Sequence, residues 1–186
     1  MNPILLNFPE EIVTERLLIR VPKPGDGEAV YQAMQASLDD LKPWMPWAHA
    51  NQTVEDVELN VRKAHMQFLA REDLRLHIFH KETGAFIASS GLHRIDWNLP
   101  KFEIGYWIDS RYSGKGYISE AVRAIAEFAF IELGAKRVEI RCDPENHRSR
   151  KVAERIGFSL EAILKKNMLS ADGKEPRDTC IYAKIR

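Results

Sequence analysis

A strand-like run that yields to a loop with two close glycines, and then at once to a helix, constrains this chain more than any other feature. Residues 101–109 (KFEIGYWID) read as a strand, and Arg111-Tyr112-Ser113-Gly114-Lys115-Gly116 form the loop. From about Gly116 to Leu133, Ile118, Ala121, Val122, Ile125 and Ala129 share one helical face, and Gly134 stops the helix. Amide groups of such a loop converge on one point. The first helical turn adds N–H groups with no partner inside the helix, and the macrodipole adds partial positive charge. Together they suit a phosphate or diphosphate. Gly114 and Gly116 leave the backbone open to close approach, while Arg111 and Lys115 bring charge. A plain strand-to-helix turn with solvated cations would fit the same letters.

Two other phosphate loops fit less well. A Walker loop needs glycine where Asp109 stands and Ser or Thr where Gly116 follows Lys115. A dinucleotide fingerprint needs a third glycine where Ser119 stands. Asp143 does end the following strand, as a ribose-binding acid would. Too little chain remains for the repeated crossovers of that fold, which stays a weaker alternative.

The flanking pattern reads as one domain over residues 1–186. Residues 13–21 suggest a strand, 26–37 a short helix, and 41–50 a proline-broken loop with two tryptophans. Thr53 looks like an N-cap with Asp56 as its capping-box partner, followed by an amphipathic face of Val54, Val57, Val61, Ala64 and Phe68. Strands at 74–80, 85–95 and 101–109 form an antiparallel meander. Past the central helix come a strand at 137–142, a basic helix at 146–156, and strands near 158–169 and 177–185 joined by ADGKEP. The expected fold class is α/β (α+β), with a mixed, mostly antiparallel sheet and helices on both faces.

Lys plus Arg and Asp plus Glu both number 27, which argues against a dedicated nucleic-acid binder. No apolar run approaches membrane-spanning length, and the acidic start is unlike a signal peptide. Two cysteines are too few for a disulfide scaffold, so a reduced, cytoplasmic chain is expected. Cys142 and Cys180 read as small buried strand residues rather than nucleophiles. His77 and His80, three apart on a strand, point to opposite faces, and no metal constellation is seen.

Arg111-x-x-Gly114-x-Gly116 resembles the pyrophosphate loop of the GNAT superfamily of acetyl-CoA-dependent N-acetyltransferases, most of all those of the RimJ/RimL type that act on ribosomal-protein N-termini. The opening Thr14-Glu15-Arg16-Leu17-Leu18-Ile19-Arg20 carries the same resemblance. So do Leu41-Lys42-Pro43-Trp44-Met45-Pro46-Trp47, Glu103-Ile104-Gly105-Tyr106-Trp107-Ile108, and Asn146 with Ser149 ahead of Gly157-Phe158. The resemblance implies a sheet that splays open between the strands ending near Asp109 and Cys142. The pantetheine of acetyl-CoA would lie there, bonded to Trp107 and Ile108 as an added strand would be. The diphosphate would rest on Arg111, Tyr112, Ser113, Gly114, Lys115 and Gly116, with Asn146 and Ser149 beside the pantetheine.

Transfer to an amine needs a neutral nitrogen, donors for an oxyanion and help for the departing thiolate. Glu161 and Glu103 are the candidate bases, each equally readable as an ion-pair residue. Ser149 is a candidate to bond the thiolate. The tyrosine that many such enzymes place seven residues after the asparagine is Ala153 here, so another donor serves or none does. Trp44 and Trp47 would wall the acceptor. The resemblance favours an acceptor at a protein or peptide N-terminus, ribosomal in the RimL case. The rivals are an enzyme for small amines and a non-catalytic acyl-CoA-binding module. A homodimer is left open.

Overall fold

The computed structural model describes residues 2–186. Strands β1 (Glu11–Val13) and β2 (Leu17–Arg20) form a hairpin, followed by α1 (Gly27–Gln35), α2 (Leu38–Leu41) and α3 (Val54–Ala70). Strands β3 (Leu74–His80), β4 (Phe86–Asp96) and β5 (Lys101–Ile108) make the meander. Helix α4 (Tyr117–Ile131) crosses to β6 (Arg137–Cys142), and α5 (His147–Arg155) precedes β7 (Ser159–Leu169) and β8 (Pro176–Ile185). The eight strands lie in the order β1-β2-β3-β4-β5-β6-β8-β7. Only β5 and β6 pair in parallel among the described strands, because a helical crossover joins them.

The expected strand at 13–21 is two strands. The Thr14 amide donates to the Leu17 carbonyl at 2.9 Å and reverses the chain there. The expected loop at 41–50 starts on the last residue of α2 and contains a 3-10 turn at Pro46–His49. The Thr53 capping box is present in both directions. The Asp56 amide donates to Thr53 Oγ1 at 3.2 Å and the Thr53 amide to Asp56 Oδ2 at 2.9 Å, an arrangement that contributes about 1 kcal/mol to such a helix.

Helices α1 and α3 cover one face of the sheet through Val30, Met34, Val57 and Val61, packed on Phe79 and Phe86. Helix α4 fills the other face with Ala121, Val122, Ile125 and Ala129, none exposed, against Phe102, Ile104 and Val138. Core packing on both sides of β5 therefore fixes this strand in depth.

The β5–β6 ladder runs only from Lys101 opposite Arg137 to Ile104 opposite Ile140. Beyond it β5 stays with β4, Ile108 opposite Ala88, while β6 stays with β8, Cys142 opposite Cys180. The two halves of the sheet diverge, leaving the β5 edge from Gly105 to Ile108 without a strand partner on that side.

Candidate active site

The turn after β5 is built on Asp109, which is fully buried. Its carboxylate accepts from the Arg111 amide at 3.0 Å and takes the Arg111 guanidinium in a fork, Nε at 3.0 Å and Nη2 at 2.5 Å. Arg111, expected to face a diphosphate directly, is thus engaged with Asp109, and that hydrogen-bonded pairing holds its guanidinium above its ordinary pKa. Its charge balances a buried carboxylate, and its side chain stays 58% exposed beside the loop. Ser110 ties the same turn to the end of α1. Its amide donates to buried Ser37 Oγ at 2.8 Å and its hydroxyl to the Ala36 carbonyl at 2.8 Å.

Gly114 and Gly116 adopt φ of 77° and 82°, a region that side chains disfavour. Gly116 is the N-cap of α4. No amide from Gly114 to Ser119 donates to another group among the described residues. This run of open donors lies at a helix head, an arrangement suited to an anion.

The opening motif holds that helix head. Glu120, in the first turn of α4, accepts from Thr14 Oγ1 at 2.6 Å, the Arg16 amide at 3.0 Å and Arg16 Nε at 2.7 Å. Arg16 Nη1 reaches on to the Lys115 carbonyl at 3.0 Å, and its guanidinium lies 4.4 Å over the Tyr117 ring. Burial raises the Glu120 pKa, but these hydrogen bonds outweigh it and hold the carboxyl below its ordinary range.

A cleft of about 810 Å³ runs from this loop into the splay. Trp107, Ile108, Ser113, Gly114, Gly116, Asn146 and Ser149 line it, as do Trp44 and Glu103. Asn146 caps α5, its Oδ1 accepting from the Ser149 amide at 3.1 Å. Ser149 Oγ lies 2.9 Å from the Tyr106 hydroxyl, which reaches across the splay from β5. Burial pushes the Tyr106 phenol above its ordinary pKa, so it keeps its proton at neutral pH. Ala153 itself is fully buried, while the Tyr106 phenol from β5 stands beside Ser149 in the long cleft. Burial also pushes the Cys142 thiol up to about 11, which disfavours a covalent acyl-cysteine route.

A second, smaller cavity of about 330 Å³ lies on the α1–α3 face. Trp47, Met45, Asn60, Arg75, His77 and His93 belong to its wall, and it shares Met45, Gly105, Tyr106 and Trp107 with the long cleft. Trp47 packs on Trp107 with ring centroids 5.5 Å apart. His77 is buried and its Nδ1 lies 2.9 Å from Asp26, yet burial prevails and lowers its pKa. Trp44 and Trp47, expected to act together, face different cavities.

The two glutamates part company as well. Glu103 lies in the long cleft, with Arg141 Nε at 3.3 Å and Arg94 Nη1 at 3.6 Å. Glu161, on β7, is exposed and bonded by the Arg137 guanidinium. That partner lowers its pKa and so weakens it as a base, and Glu161 lines neither cavity. Nor does Asp143 await a ribose: it is paired with Arg177 at 2.8 and 3.0 Å. A single parallel strand pair is also far from a doubly wound sheet.

The sheet opens between two parallel strands, with unpaired amides at a helix head by its mouth, as suits a phosphate-bearing cosubstrate. The family model described as the acetyltransferase (GNAT) domain matches residues 16–159, and the chain belongs to that family. The chain is 32% identical over 180 residues to the uncharacterized N-acetyltransferase YnaD of Bacillus subtilis (strain 168), covering 92% of this chain and 95% of that one. It is 28% identical over 173 residues to the ribosomal-protein-serine acetyltransferase of Escherichia coli (strain K12), covering 93% and 94%. The fold is shared with the microcin C7 self-immunity acetyltransferase MccE, solved with acetyl-CoA and AMP, at a TM-score of 0.88 and 24% identity over 96% of this chain and 98% of that one.

Proposed function

We propose that this protein transfers the acetyl group of acetyl-CoA to the N-terminal amine of a protein by direct attack on the thioester. The observation that carries this reading is the meeting of the two cavities at Gly105, Tyr106 and Trp107, beside the unpaired edge of β5. One cavity has a phosphate cradle at its far end. The other has room for a terminal residue rather than a folded surface. The E. coli relative, named for serine acetylation of a ribosomal protein, supports an acceptor of this kind.

The roles follow from position. Amides from Gly114 to Ser119 hold the diphosphate, with Lys115 and the paired Arg111 adding charge nearby. The β5 edge at Trp107 and Ile108 offers backbone groups to the pantetheine, as an added strand would use them. Tyr106, with Ser149, gives a proton to the departing sulfur. The α-amine suits this chemistry. With a pKa near 7.7–8.0, roughly a tenth is neutral at pH 7, against well under a thousandth for lysine. Deprotonation there costs about 1 kcal/mol for the α-amine and about 4–5 for lysine.

The test is mass spectrometry of ribosomal proteins and a peptide panel after incubation with acetyl-CoA, alongside release of free thiol. Acetylation of N-terminal residues is expected. Acetylation of small amines alone would replace the acceptor class. Tight acetyl-CoA binding without turnover on any amine would leave a binding module instead.

A further inference from the structure

His93 lines the smaller cavity beside Gly105, which both cavities share, and its geometry is that of an aimed imidazole. Its Nδ1 lies 2.7 Å from Asp73 Oδ2. Asp73 immediately precedes β3, and the register that sets Leu74 opposite Leu92 carries it to His93 on β4. A carboxylate at Nδ1 fixes the ring's tautomer and leaves Nε2 as the free lone pair. Nε2 has no hydrogen-bond partner among the described residues, and the side chain is 28% exposed, into the smaller cavity. Two glycines make room for the ring. A Cβ on Gly105 would sit 3.3 Å from His93 Cδ2 and 3.5 Å from Nε2, and one on Gly91 would sit 3.1 Å from Cε1. Gly105 is also wall to the long cleft, so the imidazole borders the place where thioester and amine would meet.

Resting on the acetyl-transfer reading above, we propose that His93, oriented by Asp73, is the catalytic base that takes the proton from the acceptor amine. The amine enters as an ammonium and gives one proton to His93 Nε2, which passes it to solvent. The freed lone pair forms the C–N bond at the thioester carbonyl, the C–S bond breaks, and its electron pair leaves on sulfur. Nitrogen then gives a second proton to His93, neutral again, which passes it to solvent. Sulfur gains one from the Tyr106 hydroxyl, which solvent refills through Ser149. The products are the acetylated amine, the free thiol and one released proton. Glu103, the register partner of His93 on β5, serves less well. Arg141 and Arg94 surround its carboxylate, whereas Nε2 of His93 is unengaged. The same cavity wall also carries Arg75 on β3, Asn60 on α3 and His77 on β3.

The experiment is kcat/KM against pH for wild type, His93→Gln and Asp73→Asn, using two α-amine peptides of different basicity. Acetyl-CoA affinity is measured by calorimetry as the control. His93→Gln is expected to lose about 10²–10³-fold in kcat/KM while acetyl-CoA affinity holds within about twofold. In wild type the acid limb is expected at the same pH for both peptides. In His93→Gln it should move to the amine's own ionisation, near 7.7–8.0, and differ between the peptides. Asp73→Asn should lose about tenfold or more, with a shifted limb. Turnover of His93→Gln within threefold of wild type overturns the assignment, as does a wild-type limb that follows the amine. If His93→Gln does not fold, an unchanged Asp73→Asn profile overturns it. Wild-type turnover with an indifferent His93→Gln strikes the base alone, whereas no wild-type turnover on any amine strikes the parent reading as well.

Discussion

Tyr106 and Cys142 show how burial sorts side chains of similar reach. Both border the long cleft, and burial raises the pKa of each. For the phenol this preserves a proton donor beside Ser149. Tyr106→Phe should therefore lower kcat by about 10²-fold, with little change in acetyl-CoA affinity, in a thiol-release assay. For the thiol it removes the nucleophile. With its pKa at about 11, native Cys142 should react with iodoacetamide at pH 8 at least about 100-fold more slowly than in the unfolded chain. Rapid native alkylation would reopen the covalent route. Glu161 falls on the other side of the line, since its ion pair with Arg137 lies outside both cavities. Glu161→Gln should leave kcat within about twofold, a surface ion pair being worth about 0–1 kcal/mol.

At the scale of elements, the head of α4 works because β2 and the turn before it clamp it through Glu120. Arg16→Ala should raise KM for acetyl-CoA several-fold with kcat nearly unchanged, since it loosens the cradle without touching the reacting atoms. The clamp also depends on pH. The folded-state pKa of Glu120 is depressed, so its contribution to stability is full above the ordinary glutamate pKa and is lost as pH falls below it. The turn into α4 was legible from Gly114 and Gly116 ahead of a helical period, but the pairing of Arg111 with Asp109 was not, because a cation two residues past a carboxylate reads equally as solvated. The Asp73–His93 pair was not legible either. A bulge at Ile78/Phe79 shifts the β3–β4 register. Extending the turn-side pairing of Phe79 with Phe86 would have set Asp73 opposite Leu92, one residue short. Nor does the pattern of 13–21 reveal its division into two strands: Thr14 turns the chain through hydrogen bonds that hydropathy does not register.

Across the whole molecule, the sheet is two half-sheets joined by a short parallel ladder, and the cavities form where that ladder stops. The class of fold could be read because strand, loop and helix follow one another in sequence through the decisive segment. The smaller cavity could not. Its wall comes from α1, the tryptophan loop, α3 and strands β3 to β5, and only packing sets their distances. Trp44 and Trp47, close in sequence, face different cavities for the same reason. The proposed function depends on the splay holding a thioester against Gly105 and Tyr106 while the loop holds its diphosphate. A crystal structure of the protein soaked with coenzyme A measures this most directly. The account predicts the diphosphate on the amides between Gly114 and Ser119, pantetheine along Trp107 and Ile108, and sulfur within reach of Tyr106 and Ser149. Coenzyme A bound elsewhere, or strands β5 and β6 paired through Ile108 and Cys142 with the cleft closed, would contradict it.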